Sequence, residues 1–288
     1  MTKVIGIDLG TTFSAIASLD DLGNPEVLAS IEDNRKITAS AIYLKDNEVV
    51  VGDKALSYLK DQSKNVILQT KREMENDVVY STDQGKWVSD TDLVEAYTPA
   101  QVSSLILKKL KEYTSDVKKV VITVPAMFAE KARQATLDAA KIADLEVIEL
   151  INEPTAAVLH YASLPGVEVG GRVMIFDLGG GTFDVTFAEV KNKKVDVLTS
   201  RGDKYLGGRD FDREITKLMK KKYFDIHNVE IDIENNKEYL HKAEEVKKIL
   251  SVKDKANIEI NGPKGSQKIE ITQEEFEESI QTYIEKIK

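Results

Sequence analysis

Residues Val173 to Val190 read VMIFDLGGGTFDVTFAEV, three consecutive glycines between two strand-like runs. Glycine loses more backbone freedom on folding than any other residue. A run of three at a hairpin turn therefore weakens the pairing unless something uses the bare backbone. A near copy stands at the other end of the chain, VIGIDLGTTFSAIASL from Val4 to Leu19. Both copies run apolar residues into Asp-Leu-Gly (Asp8-Leu9-Gly10 and Asp177-Leu178-Gly179), then Thr and Phe, then a mixed apolar and polar strand. One such stretch reads more readily as a glycine-rich hairpin than as a site; two related copies reverse that weighting.

Without a Cβ in the way, successive backbone N–H groups can turn toward one ligand and form an anion-binding nest. Hydrogen bonds to a charged acceptor contribute about 1.5–3 kcal/mol each, so a handful of donors outweighs the glycine penalty. The ligand this implies is a phosphate chain. An acidic residue precedes each turn, and beside phosphates that makes sense only with a hard cation between them. Magnesium, held by carboxylates largely through its own waters, fits that chemistry. The pattern is not a Walker loop, because no Gly-Lys-Ser/Thr follows. Nor is it a dinucleotide fingerprint, because a strand and not a helix comes after the glycines.

Composition bounds the rest. At 288 residues the chain is long enough for about two packed units, at roughly 150 residues each. Apolar residues at 42% and charged residues at 31% place it among ordinary globular proteins. No run approaches the roughly 18 apolar residues of a membrane span, and the Met-Thr-Lys start lacks the apolar segment of a secretory signal, so a cytoplasmic location is expected. The absence of cysteine excludes disulfides, thiolate nucleophiles and cysteine-based zinc sites. His160, His227 and His241 have no spacing that sets two on one helical face, and they read as solvated or core residues. A net charge of −9 argues against nucleic-acid or acidic-membrane binding.

Along the chain, a charged and irregular stretch is expected from about Asp46 to Asp92. Thr98, Pro99 and Gln101 form a capping box, and Val102, Leu105, Ile106, Leu110 and Tyr113 then follow at helical spacing. VVITV (Val120 to Val124) is a buried-strand run closed by Pro125. Helix is expected from Glu130 to Ala143, strand over LEVIELI (Leu145 to Ile151), and another helix from Asn152-Glu153-Pro154. Strand and helix in alternation is the α/β pattern. Residues 166–171 carry three glycines and read as the connection into a second lobe. There KVDVLTS is strand, Arg209 to Phe224 is helix with Phe211, Ile215, Leu218 and Met219 on one face, and Leu240, Ala243, Val246, Ile249 and Leu250 mark a further helix. A hairpin follows, NIEIN, GPKGS, QKIEI. Thr272 with Glu275 caps a last helix lined by Phe276, Ile280, Tyr283, Ile284 and Ile287.

These residues resemble the ATPase superfamily shared by actin, sugar kinases and the 70-kilodalton heat-shock chaperones. IGIDLGTTFS, VVITVPAMF followed by ARQAT, INEPTAA, and DLGGGTFDV with YLGGRDFD resemble, in order and spacing, the nucleotide-binding domain of the DnaK-type chaperones. The resemblance implies a two-lobed actin-like ATPase fold with duplicated ribonuclease H-like lobes. Lobe I would be 1–171, with an inserted subdomain at about 36–113, and lobe II 172–288, with a helical and hairpin subdomain from about 207. The cofactors implied are ATP or ADP, magnesium and potassium. Gly10, Thr11, Thr12 and Phe13 would form the first phosphate loop, and Gly179, Gly180, Gly181 and Thr182 the second. Asp8, Asp177 and Glu153 would orient the waters around magnesium, and Asp184 would help place potassium. Because the residue before proline is biased to an extended conformation, Glu153 is expected at a strand end facing the cleft; a helix-capping acid is the alternative.

Lys71, in VILQTKREM, resembles the family lysine that positions the attacking water and stabilises charge on the transferred phosphoryl group; nothing else marks it among so many lysines. Gly207 and Gly208 would approach phosphates and ribose. Glu244, Lys247, Lys248 and Ser251 would meet the adenosine, an ordinary charged helix face being the even alternative. Pro125 and Arg133 match the family's relay toward its substrate domain. The implied partners are a nucleotide-exchange factor, a J-domain co-chaperone and, through a domain absent here, unfolded peptides.

Three departures temper this. The family's second adenosine segment, a strand leading into a Gly-Gly turn, is missing before Lys288, which leaves lobe II incomplete. Arg209 replaces an acidic residue. Glu149 stands where the family has an arginine that meets the acidic motif of the J-domain, a reversed charge that disfavours the contact. The rival readings are a truncated module that binds nucleotide or a partner without catalysis and, further off, a filament protein or small-molecule kinase.

Overall fold

Strand alternation sets the first layer. In β1 (Val4–Asp8) Ile5 and Ile7 are buried while Val4, Gly6 and Asp8 face outward, the two-residue period of a sheet with one covered face. The computed structural model describes residues 4–46, 48–89, 93, 95–115, 117–164, 166–167, 170–191 and 194–288. Residues 1–3, the Asp92 end of the charged stretch and part of the 166–171 connection lie outside these. The chain forms two compact units, Met1–Asp177 with Asp184–Lys204, and Leu178–Phe183 with Tyr205–Lys288.

In the first unit β1 pairs antiparallel with β2 (Phe13–Leu19), which pairs with β3 (Pro25–Val27) and, at its start, with β4 (Thr38–Ala39). A second layer of small elements follows: β5 (Ala41–Lys45), β6 (Glu48–Val51), α1 (Asp53–Leu56), α2 (Leu59–Gln62) and β7 (Val66–Leu68), then a 3₁₀ turn at Thr70–Glu73 and the strands β8 (Val79–Ser81), β9 (Lys86–Val88) and β10 (Ala96–Tyr97). The stretch expected to be irregular is thus largely ordered where it is described. Its strands run three or four residues, too short to show a period in sequence, and they are fixed by tertiary packing. Ala41, Tyr43, Ala55, Leu59 and Val66 form their own cluster, with Tyr43 stacked on Tyr58 at 3.9 Å between ring centroids.

The capping box reads as expected. Thr98 N–H donates to Gln101 Oε1 at 2.8 Å and Gln101 N–H to Thr98 Oγ1 at 3.3 Å, and α3 (Pro99–Lys111) starts there. Next come β11 (Lys119–Val124), α4 (Glu130–Ile142), β12 (Glu146–Asn152) and α5 (Glu153–Ser163). β1, β11 and β12 are parallel neighbours, an arrangement that needs a crossover helix such as α4 between the last two. The sheet order is β12-β11-β1-β2-β3. Ile5, Ile7, Ile16 and Ile122 pack against Val102, Ile106, Leu107 and Leu110 of α3 and Ala139 and Ala140 of α4. A second meander, β13 (Gly171–Leu178), β14 (Phe183–Lys191) and β15 (Lys194–Asp203), has the order β13-β14-β15. It repeats the β1-β2-β3 half of the first sheet, as the paired motifs imply. The division into compact units puts 172–177 and 184–204 with the first unit.

The second unit is built on α6 (Gly208–His227), α7 (Lys237–Leu250), the hairpin β16 (Lys255–Gly262) with β17 (Gly265–Thr272), and α8 (Gln273–Ile287). Ile215, Met219 and Tyr223 of α6 meet Tyr239, Ala243, Val246 and Leu250 of α7 over Ile258, Ile260, Ile269 and Ile271. Ile249, expected on the buried face, is 38% exposed, because the covered stripe runs through 239, 243, 246 and 250 and leaves 249 a hundred-degree step aside. On α8 only Ile280 is buried. Phe276, Tyr283, Ile284 and Ile287 are half-buried, with Tyr283 edge-on to Phe211 at 5.9 Å and donating to Glu214 at 2.9 Å.

Candidate functional site

In the first unit, sheet ends gather the acids. Asp8 closes β1 and accepts a 2.7 Å hydrogen bond from Thr123 Oγ1, its cross-strand partner on β11. Glu153 follows β12 directly and is the first residue of α5. It is therefore helical and not an extended strand end. The pre-proline bias on Glu153 is overridden, the extended conformation falling instead on Asn152 at the helix N-cap, with φ −65° and ψ 135°, and the acid sits in the first turn, where the helix dipole favours it. Asp177 lies next to last in β13 and Asp184 second in β14.

Lys71 is brought to these acids by a reversal. Gln69, the residue before the 3₁₀ turn, has φ 61°, a left-handed conformation that turns the chain sharply after β7. The result is a lysine only 8% exposed, not the solvated surface residue its sequence context offers. Its ammonium donates to the Glu153 carboxylate and stands 5.9 Å from the centroid of the Phe128 ring. Arg133 supports the same corner, donating from Nη2 to Asn152 Oδ1 at 2.7 Å and from Nε to the Phe128 carbonyl at 3.1 Å. Pro125 is buried and its carbonyl accepts the Phe128 N–H at 3.1 Å.

Glu153, Asp177 and Asp184 all feel the Lys71 ammonium, and Asp8 lies near Glu153 and Asp177. Burial pushes the Glu153 carboxyl up, against the pull of Lys71, and Asp8 and Asp177 add to the rise. Asp177 is raised by burial, Lys71 opposing and Asp8 assisting. Asp184 is raised to about 6 by burial and by the neighbouring Glu153 and Asp177 charges. It is 3% exposed, and its Oδ1 is buried with no hydrogen-bond partner among the described residues. Excess negative charge, an orphaned carboxylate oxygen and an oxygen-only donor set are what a hard cation would relieve. No group of three or more His, Cys, Asp or Glu side chains among the described residues is placed to ligate a metal directly.

The first glycine loop also belongs to this unit. A Cβ on Gly10 would lie 2.0 Å from the Phe13 carbonyl oxygen, so only glycine lets the chain close there. Gly10 N–H donates to Ser14 Oγ at 3.2 Å, Ser40 Oγ donates to the Gly10 carbonyl at 2.8 Å, and the two hydroxyls are 2.9 Å apart. Thr12 accepts the Ser40 N–H at 2.8 Å. Thr11 is buried; Gly10, Thr12 and Phe13 are half-buried. Sequence reading missed Ser14 and Ser40. Ser14 was within reach as the hydroxyl four residues after Gly10, but Ser40 carries no local signal.

In the second unit the Gly179–Thr182 loop closes on itself through Gly179 N–H to the Thr182 carbonyl at 2.9 Å. It is fastened to the start of α6, where Gly208 N–H donates to Gly179 and Arg209 N–H to Gly180, both at 3.0 Å. Gly207 is enclosed: a Cβ there would lie 2.7 Å from Gly181 N and 2.8 Å from Gly179 O. Its own N–H donates to Asp210 Oδ2 at 2.9 Å. The N–H groups of Gly208 and Arg209 thus hold the loop in shape.

Lys247 reaches across from α7, 2.6 Å from Asp212 and 2.9 Å from the Gly208 carbonyl. Asp212 is pushed up to about 6 by burial in spite of that lysine. Lys248 pairs with Glu244 at 3.0 Å and Glu245 at 2.9 Å, and Ser251 Oγ donates to the Lys247 carbonyl at 3.1 Å at the end of α7. Lys237, which no motif marked, is driven down to about 7 by burial and by Arg209. Glu149 stands exposed on β12. The structure therefore gathers Asp8, Lys71, Glu153, Asp177 and Asp184 in one unit, and both glycine pairs with Lys247 in the other.

The family model of the Hsp70 protein matches residues 4–288. Among curated proteins the chain is 35% identical to the chaperone protein dnaK of Thalassiosira pseudonana and to that of Trieres chinensis, in each case over 99% of the chain. It is 40% identical to the chaperone protein DnaK of Mycoplasmopsis agalactiae over 81% of the chain. These alignments cover 51%, 50% and 37% of the three relatives, so the chain spans about half their length or less. With that match over nearly all its residues, the chain belongs to the Hsp70 family and has that family's actin-like α/β fold.

Proposed function

We propose that this chain binds ATP and ADP with magnesium and hydrolyses ATP, as the nucleotide-binding part of a DnaK-type chaperone working in the cytoplasm. The observation that carries the reading is the crowding of Glu153, Asp177 and Asp184 around the Lys71 ammonium, with Asp8 beside Glu153 and Asp177. On this reading 1–171 and 172–288 act as the two functional lobes. The loops Gly10–Phe13 and Gly179–Thr182 offer backbone N–H groups to phosphate oxygens. Asp8, Asp177 and Glu153 hold magnesium through water, and Asp184, with its orphaned oxygen, takes potassium. Magnesium, when bound, offsets the negative charge of the phosphates.

The chain's own residues supply position and charge, which is most of what phosphoryl transfer needs. The buried Lys71 ammonium stabilises charge on the transferred group and orients the attacking water, and Glu153 keeps that ammonium in place. Lys247, Lys248, Glu244 and Ser251 form the adenosine side, with Lys247 fixed by Asp212. Coupling to unfolded peptides, to a J-domain co-chaperone and to a nucleotide-exchange factor would belong to an intact DnaK-type chaperone; at the J-domain contact Glu149 presents the wrong charge. Titration calorimetry with Mg-ADP, with and without chelator, tests the reading. Binding that needs magnesium supports it, and absence of binding refutes it. Single-turnover hydrolysis, abolished or slowed in Lys71→Ala with binding retained, separates an ATPase from a module that only binds.

A further inference from the structure

Glu75 lies four residues past Lys71, outside every motif. Both its carboxylate oxygens accept from Lys204 Nζ, at 2.7 and 2.6 Å, and Oε1 also accepts the Ala129 N–H at 3.0 Å. Ala129 is the N-cap of α4 and supplies no side-chain cap of its own, so the carboxylate stands where the helix dipole favours an anion. The residue before it is Phe128, whose ring lies beneath the Lys71 ammonium. The residue before Glu75 is Met74, buried with Val124, Phe128 and Ala132.

Chain 71–75 is thus pinned at three points: Lys71 on Glu153, Met74 in the apolar cluster, Glu75 on Lys204 and Ala129. Burial raises the Glu75 carboxyl, but the Lys204 and Ala129 hydrogen bonds more than offset it, so it stays ionised. Lys204 closes the first unit, and Gly207 follows three residues on. We infer that Glu75 is a positioning residue for Lys71, with Lys204 as the cation that locks it. The pair registers the end of β15, where the chain leaves for the second unit, against the segment that carries the buried lysine. This rests on the proposed role of Lys71 in hydrolysis. A shift of about 1 Å at such a group costs up to about a hundredfold in rate.

The test uses the full chain and the variants Lys204→Met, Lys204→Arg and Glu75→Gln, each checked for folding by circular dichroism. Two measurements are made: acylation of Lys71 by acetic anhydride in nucleotide-free protein, read by peptide mass spectrometry, and single-turnover ATP hydrolysis alongside Mg-ADP affinity. Lys204→Met and Glu75→Gln are expected to speed Lys71 acylation several-fold and slow hydrolysis by about tenfold or more. Mg-ADP affinity stays nearly unchanged, and Lys204→Arg restores both rates. Lys71 acylation at the wild-type rate in Lys204→Met overturns the inference; that variant keeps the Ala129 bond and serves if Glu75→Gln does not fold. Faster acylation in a protein whose wild type hydrolyses no ATP keeps the positioning role and removes the catalytic reading instead.

Discussion

Replacing Asp184 by asparagine should stabilise the cation-free protein. The Asp184 carboxyl is 3% exposed and has its pKa raised from 3.8 to about 6, by burial first and by Glu153 and Asp177 next. At about 1.36 kcal/mol per unit the ceiling is about 3 kcal/mol, and local relaxation with water entry brings the usable figure to about 1–2 kcal/mol. For an acid whose folded pKa is raised, the stabilising contribution is complete below the unfolded value of 3.8 and is lost as pH rises through about 6. The wild type therefore carries the full penalty at pH 7.5, and Asp184→Asn carries none. At about 2 °C per kcal/mol for a chain of this size, thermal unfolding in chelator should show Asp184→Asn melting about 2–4 °C above wild type at pH 7.5. The gap should shrink toward pH 4 and close when magnesium and potassium salts are added. A variant that melts at or below wild type at pH 7.5, or a gap that does not vary with pH, would refute the account of the cluster as a charge excess awaiting a cation.

Lys71→Ala should slow single-turnover hydrolysis by about a hundredfold or more while leaving Mg-ADP calorimetry nearly intact; an unchanged rate removes Lys71 from the site. Gly207→Ala puts a methyl 2.7–2.8 Å from three backbone atoms of the 179–181 loop, an overpacking worth about 1–3 kcal/mol. It should lower the urea midpoint and weaken Mg-ADP binding together, and a variant of native stability would show that the loop is not held as described. Glu149→Arg should increase stimulation of hydrolysis by a J-domain protein, measured at steady state; strong stimulation of the wild type that disappears in the variant would turn the charge argument around.

What the sequence makes legible follows from how local the causes are. The two Asp-Leu-Gly turns, the Thr98–Gln101 and Thr272–Glu275 boxes and the apolar strand runs of β1 and β11 are written within a few residues, and each is found in place. The layer from β5 to β10 is not, because strands of two to five residues carry too little period and are ordered by partners from elsewhere. Lys71 could be singled out only through the resemblance, since its burial depends on a left-handed Gln69 and on Glu153 far along the chain. Ser40, Glu75, Lys204 and Lys237 stay silent in sequence for the same reason. Glu153 was read at the right place with the wrong backbone: the bias imposed by proline did not stop the helix from starting at the acid, and Asn152 takes the extended conformation instead.

The two glycine turns share their words but not their supports, and this difference carries an argument about which can change. The first is underpinned by side chains, Ser14 and Ser40, whose hydroxyls hold the N–H and carbonyl of Gly10. The second is underpinned by backbone, the N–H groups of Gly208 and Arg209 at the start of α6 holding the carbonyls of Gly179 and Gly180. Hydroxyl supports can be removed singly by mutation, whereas backbone supports move only with their helix. Lys247 and Asp212 tie that helix start to α7, so any displacement of α7 reaches the second turn directly. The serines that support the first turn sit on β2 and between β4 and β5. Of two turns with nearly one sequence, the second is therefore built to follow its helices, and the first is built to stay with its sheet.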